Sequence, residues 1–271
     1  MLFSSCSRKE EAAGQLALSQ NSRTALDFFT TAFIWFDILS CTTTGSKPSC
    51  NEWLLSLIHE ENGNLQLRKL MGCQNWVMVI IMEIAALDYW KRGCQVKGSL
   101  DMRELTQRTI CIEKRLNYGL AGNAKLVLSH GLGSRGSPEW ETRSVTDVFA
   151  CSALTYLHVV LSGPYPELPE IRSSVDRTIC ALQALHERHW IHRLAWPFCV
   201  AGSMALPQSQ IHFRNLACDA VPYGQGFKSL KIAVAIVEQC WAVRREGDEL
   251  GSRVCDWRIG MKNLGLSVLL I

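Results

Sequence analysis

Between Trp76 and Leu87 the chain reads WVMVIIMEIAAL, with a single charge, Glu83, in twelve residues. Coiled as a helix, this stretch has no polar side to give to water, so it has to be surrounded by other helices. Twelve helical residues rise only about 18 Å, short of the roughly 30 Å hydrocarbon layer of a bilayer. The stretch therefore reads as the buried middle third of a longer helix, from about Leu65 to Gly93, inside a multi-helix core. A chain of 271 residues is long enough to build such a core.

The flanking sequence supplies the other helices. Residues 1–23 are polar and mixed and read as a flexible tail or linker remnant. From Thr24 the pattern is helical: Leu26, Phe29, Phe33 and Phe36 follow at steps of three, four and three on one face, which Ile34 and Ile38 widen. Gly45 and Pro48 end that helix, and a short one is expected over Asn51–Glu60. Ser99 is a plausible N-cap for a helix to Leu116, and a variable loop is expected at about 117–143. VTDVFACSALTYLHVVL (145–161) reads as an amphipathic helix, SGPYPELPE (162–170) as a bend, and Ile171–His189 as helix again. Pro197 suits the first turn of a further helix. Leu230, Val234, Val237 and Trp241 recur on one helical face, and a last helix is expected from about Arg253 to Leu269. Persuasive period-two alternation is absent. The fold class is all-α: eight to ten helices in one domain over 24–271.

Composition removes several function classes. The formal net charge is +3, and no run exceeds two adjacent basic residues, so no stripe of Lys and Arg exists to follow a phosphate backbone. Direct nucleic-acid binding by this chain alone is not expected. MLFSSCSRKEE lacks the apolar core of a signal peptide, and a soluble, intracellular chain with no membrane partner is expected. The twelve cysteines form no C-x-x-C pair; the closest two, Cys41 and Cys50, are nine positions apart. A short turn that aims two thiolates at one zinc ion is therefore missing, and buried free thiols are the simpler expectation.

GLGSRG (131–136) fits the spacing of a dinucleotide-binding turn, with AKLVLS (124–129) as its strand. That turn needs a parallel sheet before it and an apolar-faced helix after it, whereas helices precede it and polar SPEWETRS follows. An inter-helix loop is the preferred reading. His186, His189 and His192 lie at i, i+3 and i+6, but H-E-R-H is one residue short of the zinc-protease order, and positive charge near a helix C-terminus has its own stabilising reason. No Asp-Asp pair exists to hold magnesium, and neither G-x-S-x-G nor a P-loop occurs. Asp37 and Glu83 are expected to pair with a neighbouring cation or N–H rather than to act as catalytic acids. No catalytic, cofactor-binding, metal-binding or DNA-binding residue is assigned, no cofactor is expected, and the chain is read as a non-enzyme.

Longer phrases carry a resemblance. DFFTTAFIWFDILSCTTTGSKP (27–48), LMGCQNWVMVIIMEIAALDYWK (70–91), IEKRL (112–116), VLSGPYPELPEIRSSVDRTICAL (160–182), LAWPFCVAGSMA (194–205) and CDWRIGMKNLGLSVLLI (255–271) resemble, in order, the fungal-specific transcription factor domain. These phrases resemble in particular regulators of the acriflavine sensitivity control type. The resemblance implies the helical regulatory region of zinc-binuclear-cluster transcription factors: nuclear, non-enzymatic, and in many members governing secondary-metabolite gene clusters. It also implies a possible homodimer, a possible DNA-binding transcription factor partner and a possible small-molecule effector. Trp196, Pro197, Gly202, Asp256 and Trp257 match the family's motifs, with packing and helix termination as their expected roles. The six-cysteine zinc cluster that precedes this region in family members is not among these residues. The expectation is either a shortened form or a chain that acts with a DNA-binding partner. A helical small-molecule binder or enzyme with an apolar interior is the alternative.

Overall fold

The computed structural model describes residues 4–49, 67–129, 136–186, 188–220, 227–248 and 254–271. Among these are ten α-helices, one 3-10 helix and no strand. They are α1 (Ser4–Thr44), α2 (Leu67–Met71), α3 (Asn75–Val96), α4 (Met102–Ser129), α5 (Pro138–Ser162), α6 (Pro169–Ala184), the 3-10 helix Arg188–Arg193, α7 (Ala195–Ser203), α8 (Pro207–Ala220), α9 (Phe227–Asp248) and α10 (Trp257–Asn263). The short helix expected over Asn51–Glu60 lies outside the described residues.

Two helices make the centre. Helix α3 buries Val77–Met82, Ile84, Ala85 and Leu87, as its apolar run demands. Helix α5 goes further: every residue from Val145 to Val160 except Asp147 is buried, so it is surrounded rather than amphipathic. Helices α3, α4, α6 and α7 pack around α5, and α9 packs on α7, α10 and the 3-10 helix. Helix α5 and residues 20–44 of α1 are both long and apolar enough to cross a membrane, but 83% of the α5 window is buried inside the protein.

Several helix ends differ from the sequence expectation, for local reasons. The helix expected from Leu65 is split at Gly72, whose φ of 72° places it in the left-handed region, with its N–H bonded to Arg68 O at 2.9 Å. Helix α4 starts after Asp101 rather than Ser99, because the Asp101 carboxylate accepts the N–H groups of Arg103 and Glu104. It runs on to Ser129, so AKLVLS is helical and no strand precedes GLGSRG. Residues 131–135 of that motif lie outside the described residues. Helix α5 starts at Pro138, capped by the Ser137 side chain on Trp140 N, with Glu139 and Glu141 in the positive first turn. The last helix stops at Asn263: Gly265 takes φ 64°, and Leu266 N bonds back to Met261 O at 2.9 Å, the paired closure of a Schellman end.

The first helix holds the largest surprise. It begins at Ser4, twenty residues before the expected start. Its apolar band also splits: Ile34 and Ile38 are fully buried against α3, whereas Leu26, Phe29, Phe33 and Phe36 face solvent.

Candidate functional site

Three of the motif residues meet in one buried place. Trp196 on α7 donates its indole N–H to Thr42 Oγ1 at 2.7 Å, and Trp257 on α10 donates to Thr42 O at 3.3 Å. Thr42 Oγ1 in turn donates to Leu39 O at 2.7 Å, which closes the end of α1. The Tyr156 ring of α5 stands edge-on to both indoles, with centroids 6.4 and 5.4 Å apart, and Phe149 stacks on Trp196 at 6.0 Å. Such aromatic contacts add about 0.5–1.5 kcal/mol each beyond the area they bury. Helices distant in sequence (α1, α5, α7 and α10) are thus joined through one threonine and four aromatic side chains.

Charge finishes the junction. The Asp256 carboxylate caps α10 by accepting Ile259 N at 2.9 Å, and it accepts Arg258 Nη2 at 2.9 Å. Arg258 Nη1 also donates to Asp88 on α3, while Asp88 accepts Arg92 at 3.2 Å and Tyr156 Oη at 3.5 Å. Burial opposes the Arg258 charge, but Asp256 and then Asp88 outweigh it and hold the guanidinium firmly protonated. Burial pushes the Tyr156 phenol up, assisted by Asp88, so it stays neutral. Beside this junction, Lys91 donates to Val160 O at 2.6 Å and Leu161 O at 3.4 Å, meeting carbonyls that the end of α5 leaves open. Arg244 does the same for α7 through Ser203 O, and it holds Cys255 O at 2.9 Å. This set fixes the C-terminal segment onto the core; it has no nucleophile or base aimed at open space.

An open feature lies elsewhere among the described residues, a groove of about 650 Å³ between α4, α5 and α6. Leu120, Pro169 and Ala181 give it apolar wall, and Asp147, Cys151, Arg172 and Arg177 give it polar groups. Burial raises the Asp147 carboxyl above its ordinary range, against the hydrogen bond from Asn123 Nδ2 at 3.0 Å and the charge of Arg177. Burial pushes the Cys151 thiol up to about 11, so it is a thiol rather than a thiolate at neutral pH. Arg177 itself donates to Asn117 at 3.1 Å.

Other sequence-derived candidates are dispersed. Helix α6 ends at Ala184, so His186 and His189 do not share an α-helical face; His189 and His192 fall in the 3-10 segment, and His186 lies edge-on to Trp140. Among the described residues no group of three His, Cys, Asp or Glu is placed to hold a metal ion. Glu83 pairs with Arg115 at 2.5 Å, and Asp37 accepts Ser49 N at 2.8 Å, both as ordinary partnered carboxylates. All ten described cysteines are free, and six of them are buried. Pro197 and Gly202 sit inside α7, where Gly202 leaves room for Val237 and Phe213. Asp88 and Arg258 went unnoticed in the sequence, since they are 170 positions apart and neither belongs to a spaced motif.

Residues 3–271 match the family described as fungal specific transcription factor domain. The chain is 32% identical over 252 residues to the ustiloxin B cluster transcription factor ustR of Aspergillus flavus, covering 91% of this chain and 43% of that protein. It is 33% identical over 223 residues to the trichothecene biosynthesis transcription regulator TRI10 of Trichoderma arundinaceum, covering 81% and 49%. Transcription factor dibT of Pestalotiopsis microspora is 29% identical over 266 residues, covering 92% and 42%. The chain thus spans about half the length of these relatives. No solved structure matches it.

Proposed function

Because this chain belongs to the fungal-specific transcription factor domain family, we propose that it is a transcriptional regulator of a fungal biosynthetic gene cluster, acting in the nucleus through its helical domain. The observation that carries this reading is the match over nearly the whole chain, with relatives named as regulators of ustiloxin and trichothecene production. On this reading the domain works by binding and positioning, not by catalysis. A homodimer, or pairing with a DNA-binding transcription factor, brings it to promoters. The buried Asp88–Arg258–Asp256 junction keeps the helices in one arrangement on which such a partner can rely.

The groove between α4, α5 and α6 favours a second, compatible role as the seat of a small-molecule effector. The main reading is tested by fusing the chain to a heterologous DNA-binding module upstream of a reporter with measurable basal transcription. Reporter output is expected to move up or down several-fold relative to the module alone. Unchanged output from a fusion shown to be expressed and nuclear would overturn the regulatory role.

A further inference from the structure

Helix α1 has two apolar sides, and the protein uses one. Thr31, Ile34, Ile38, Cys41 and Thr42 are buried against the core. On the other side Leu26 is 65% exposed, Phe29 68%, Phe33 56% and Phe36 41%, and Phe28, in edge contact with Phe29, is 54% exposed. A phenylalanine has roughly 150–250 Å² to bury, so these five side chains leave on the order of 500 Å² of apolar surface in water. That is at the upper end of what a monomer leaves exposed as its largest patch.

The spacing says what kind of surface covers it. Steps of three, four and three are the a, d, a, d positions of two successive heptads, the arrangement in which one helix presents knobs to another. At 3.6 residues per turn the four side chains fall within an arc of about 80°. Ser22 and Ser40 lie in line with the stripe and Ala25 and Ala32 beside it, small residues that leave room for incoming rings. From Thr24 to Thr44 the only charges are Asp27 and Asp37, and Asp37 is engaged with Ser49 N. A seam without charge asks for no oppositely charged partner and is complementary to itself. Two copies of about 500 Å² give roughly 1,000 Å² buried, the size at which a specific interface begins.

A lipid bilayer fits the same helix less well. Residues 20–44 are long and apolar enough to span one, but Thr42 is held by Trp196 and Trp257, and Ile34 and Ile38 are in the core. Insertion would break that packing. A helix lying at the membrane surface carries Lys and Arg along its polar side, and Arg23 is the only one between residues 20 and 44. We propose that the Leu26–Phe29–Phe33–Phe36 face of α1 is a homodimerisation seam, paired with α1 of a second copy across a two-fold axis. The seam gives the homodimer of the regulatory reading a surface; only its biological use rests on that reading.

Sedimentation velocity of the full chain, from about 1 to 50 µM, tests this (the range brackets micromolar affinity). A species of twice 30.4 kDa is expected. Phe29→Glu/Phe33→Glu, at two exposed positions, is expected to remain helical and to weaken association at least 100-fold. Tyr118→Glu, an 84% exposed aromatic on α4, is expected to leave it unchanged. If the double variant loses its helical circular dichroism, Leu26→Lys at the end of the seam decides instead. A monomeric native chain at 50 µM, oligomers that keep growing beyond two, or a dimer that survives the variants intact would each overturn the proposal. So would stripe-dependent flotation of a monomer with phosphatidylcholine/phosphatidylserine vesicles. A dimer that leaves the reporter unchanged would sink the regulatory reading and keep the seam; a monomer that moves the reporter would do the reverse.

Discussion

Replacing Arg258 with methionine removes the one cation shared by two buried carboxylates. The Asp88 and Asp256 side chains are 6% and 7% exposed, and that of Arg258 is 21% exposed. Breaking a buried ion pair by deleting one partner destabilises by about 3–5 kcal/mol, because the remaining charge has lost its compensation. Here the loss belongs near the lower figure. Asp256 keeps Ile259 N, and Asp88 keeps Arg92 and Tyr156. Methionine also retains some of the contact that the guanidinium makes over the Trp257 ring at 4.9 Å. About 3 kcal/mol corresponds to a Tm lowered by roughly 6–12 °C for a chain of this size. Urea unfolding followed by circular dichroism measures it, in a cycle with Asp88→Asn. The cycle should return a coupling of about 1.5 kcal/mol or more between the two positions. Destabilisation below about 1 kcal/mol with no coupling would mean that solvent, not Arg258, balances these carboxylates.

The two glycines Gly260 and Gly122 should respond in opposite directions to alanine. A Cβ at Gly260 would lie 2.6 Å from Cys240 Sγ and 3.1 Å from Ile236 O, so Gly260→Ala forces α10 away from α9 and is expected to lose about 1–3 kcal/mol. A Cβ at Gly122 meets nothing within 4 Å inside α4, so Gly122→Ala is expected to gain up to about 1 kcal/mol; chemical denaturation of both variants checks the pair. Asp147 gives a pH signature. Burial raises its folded pKa above the ordinary 3.8, the native state binds that proton more tightly than the unfolded chain, and stability is lost as pH rises between the two values. Asp147→Asn should therefore match the native protein in acid and become progressively more stable relative to it as pH rises above that ordinary carboxylate value; a gap that widens toward acid would contradict the assignment.

The apolar run in α3 and the Leu230, Val237 and Trp241 face of α9 were legible because their burial follows from composition and period alone. Period does not say which side of a helix is covered when both are apolar, and α1 shows it. The spacing picked out Phe33 as part of the face and Ile34 only as its widening, yet the bundle covers Ile34 and leaves Phe33 exposed. The start of α5 was written in Ser137, Pro138 and the two following acids, a capping pattern obscured by the polar look of SPEWE. Early stops at Gly72 and Gly265 were likewise signalled, but a glycine inside a helical pattern is tolerated often enough that only the backbone angle decides. The Asp88–Arg258 pair had no local signal: each residue is unremarkable in its own helix, and only the tertiary fold brings α3 and α10 together. Family phrases pointed to Trp196, Asp256 and Trp257 without revealing that the two tryptophans meet at Thr42 or that Asp256 shares Arg258 with Asp88.

The most direct test of the account is a transcriptome of the source fungus with this gene deleted and then restored. A regulator of the kind proposed predicts that the genes of one biosynthetic cluster change together, several-fold, and return to their starting levels on restoration. A deletion strain whose cluster transcripts are all unchanged, under conditions where the protein is made, would contradict it.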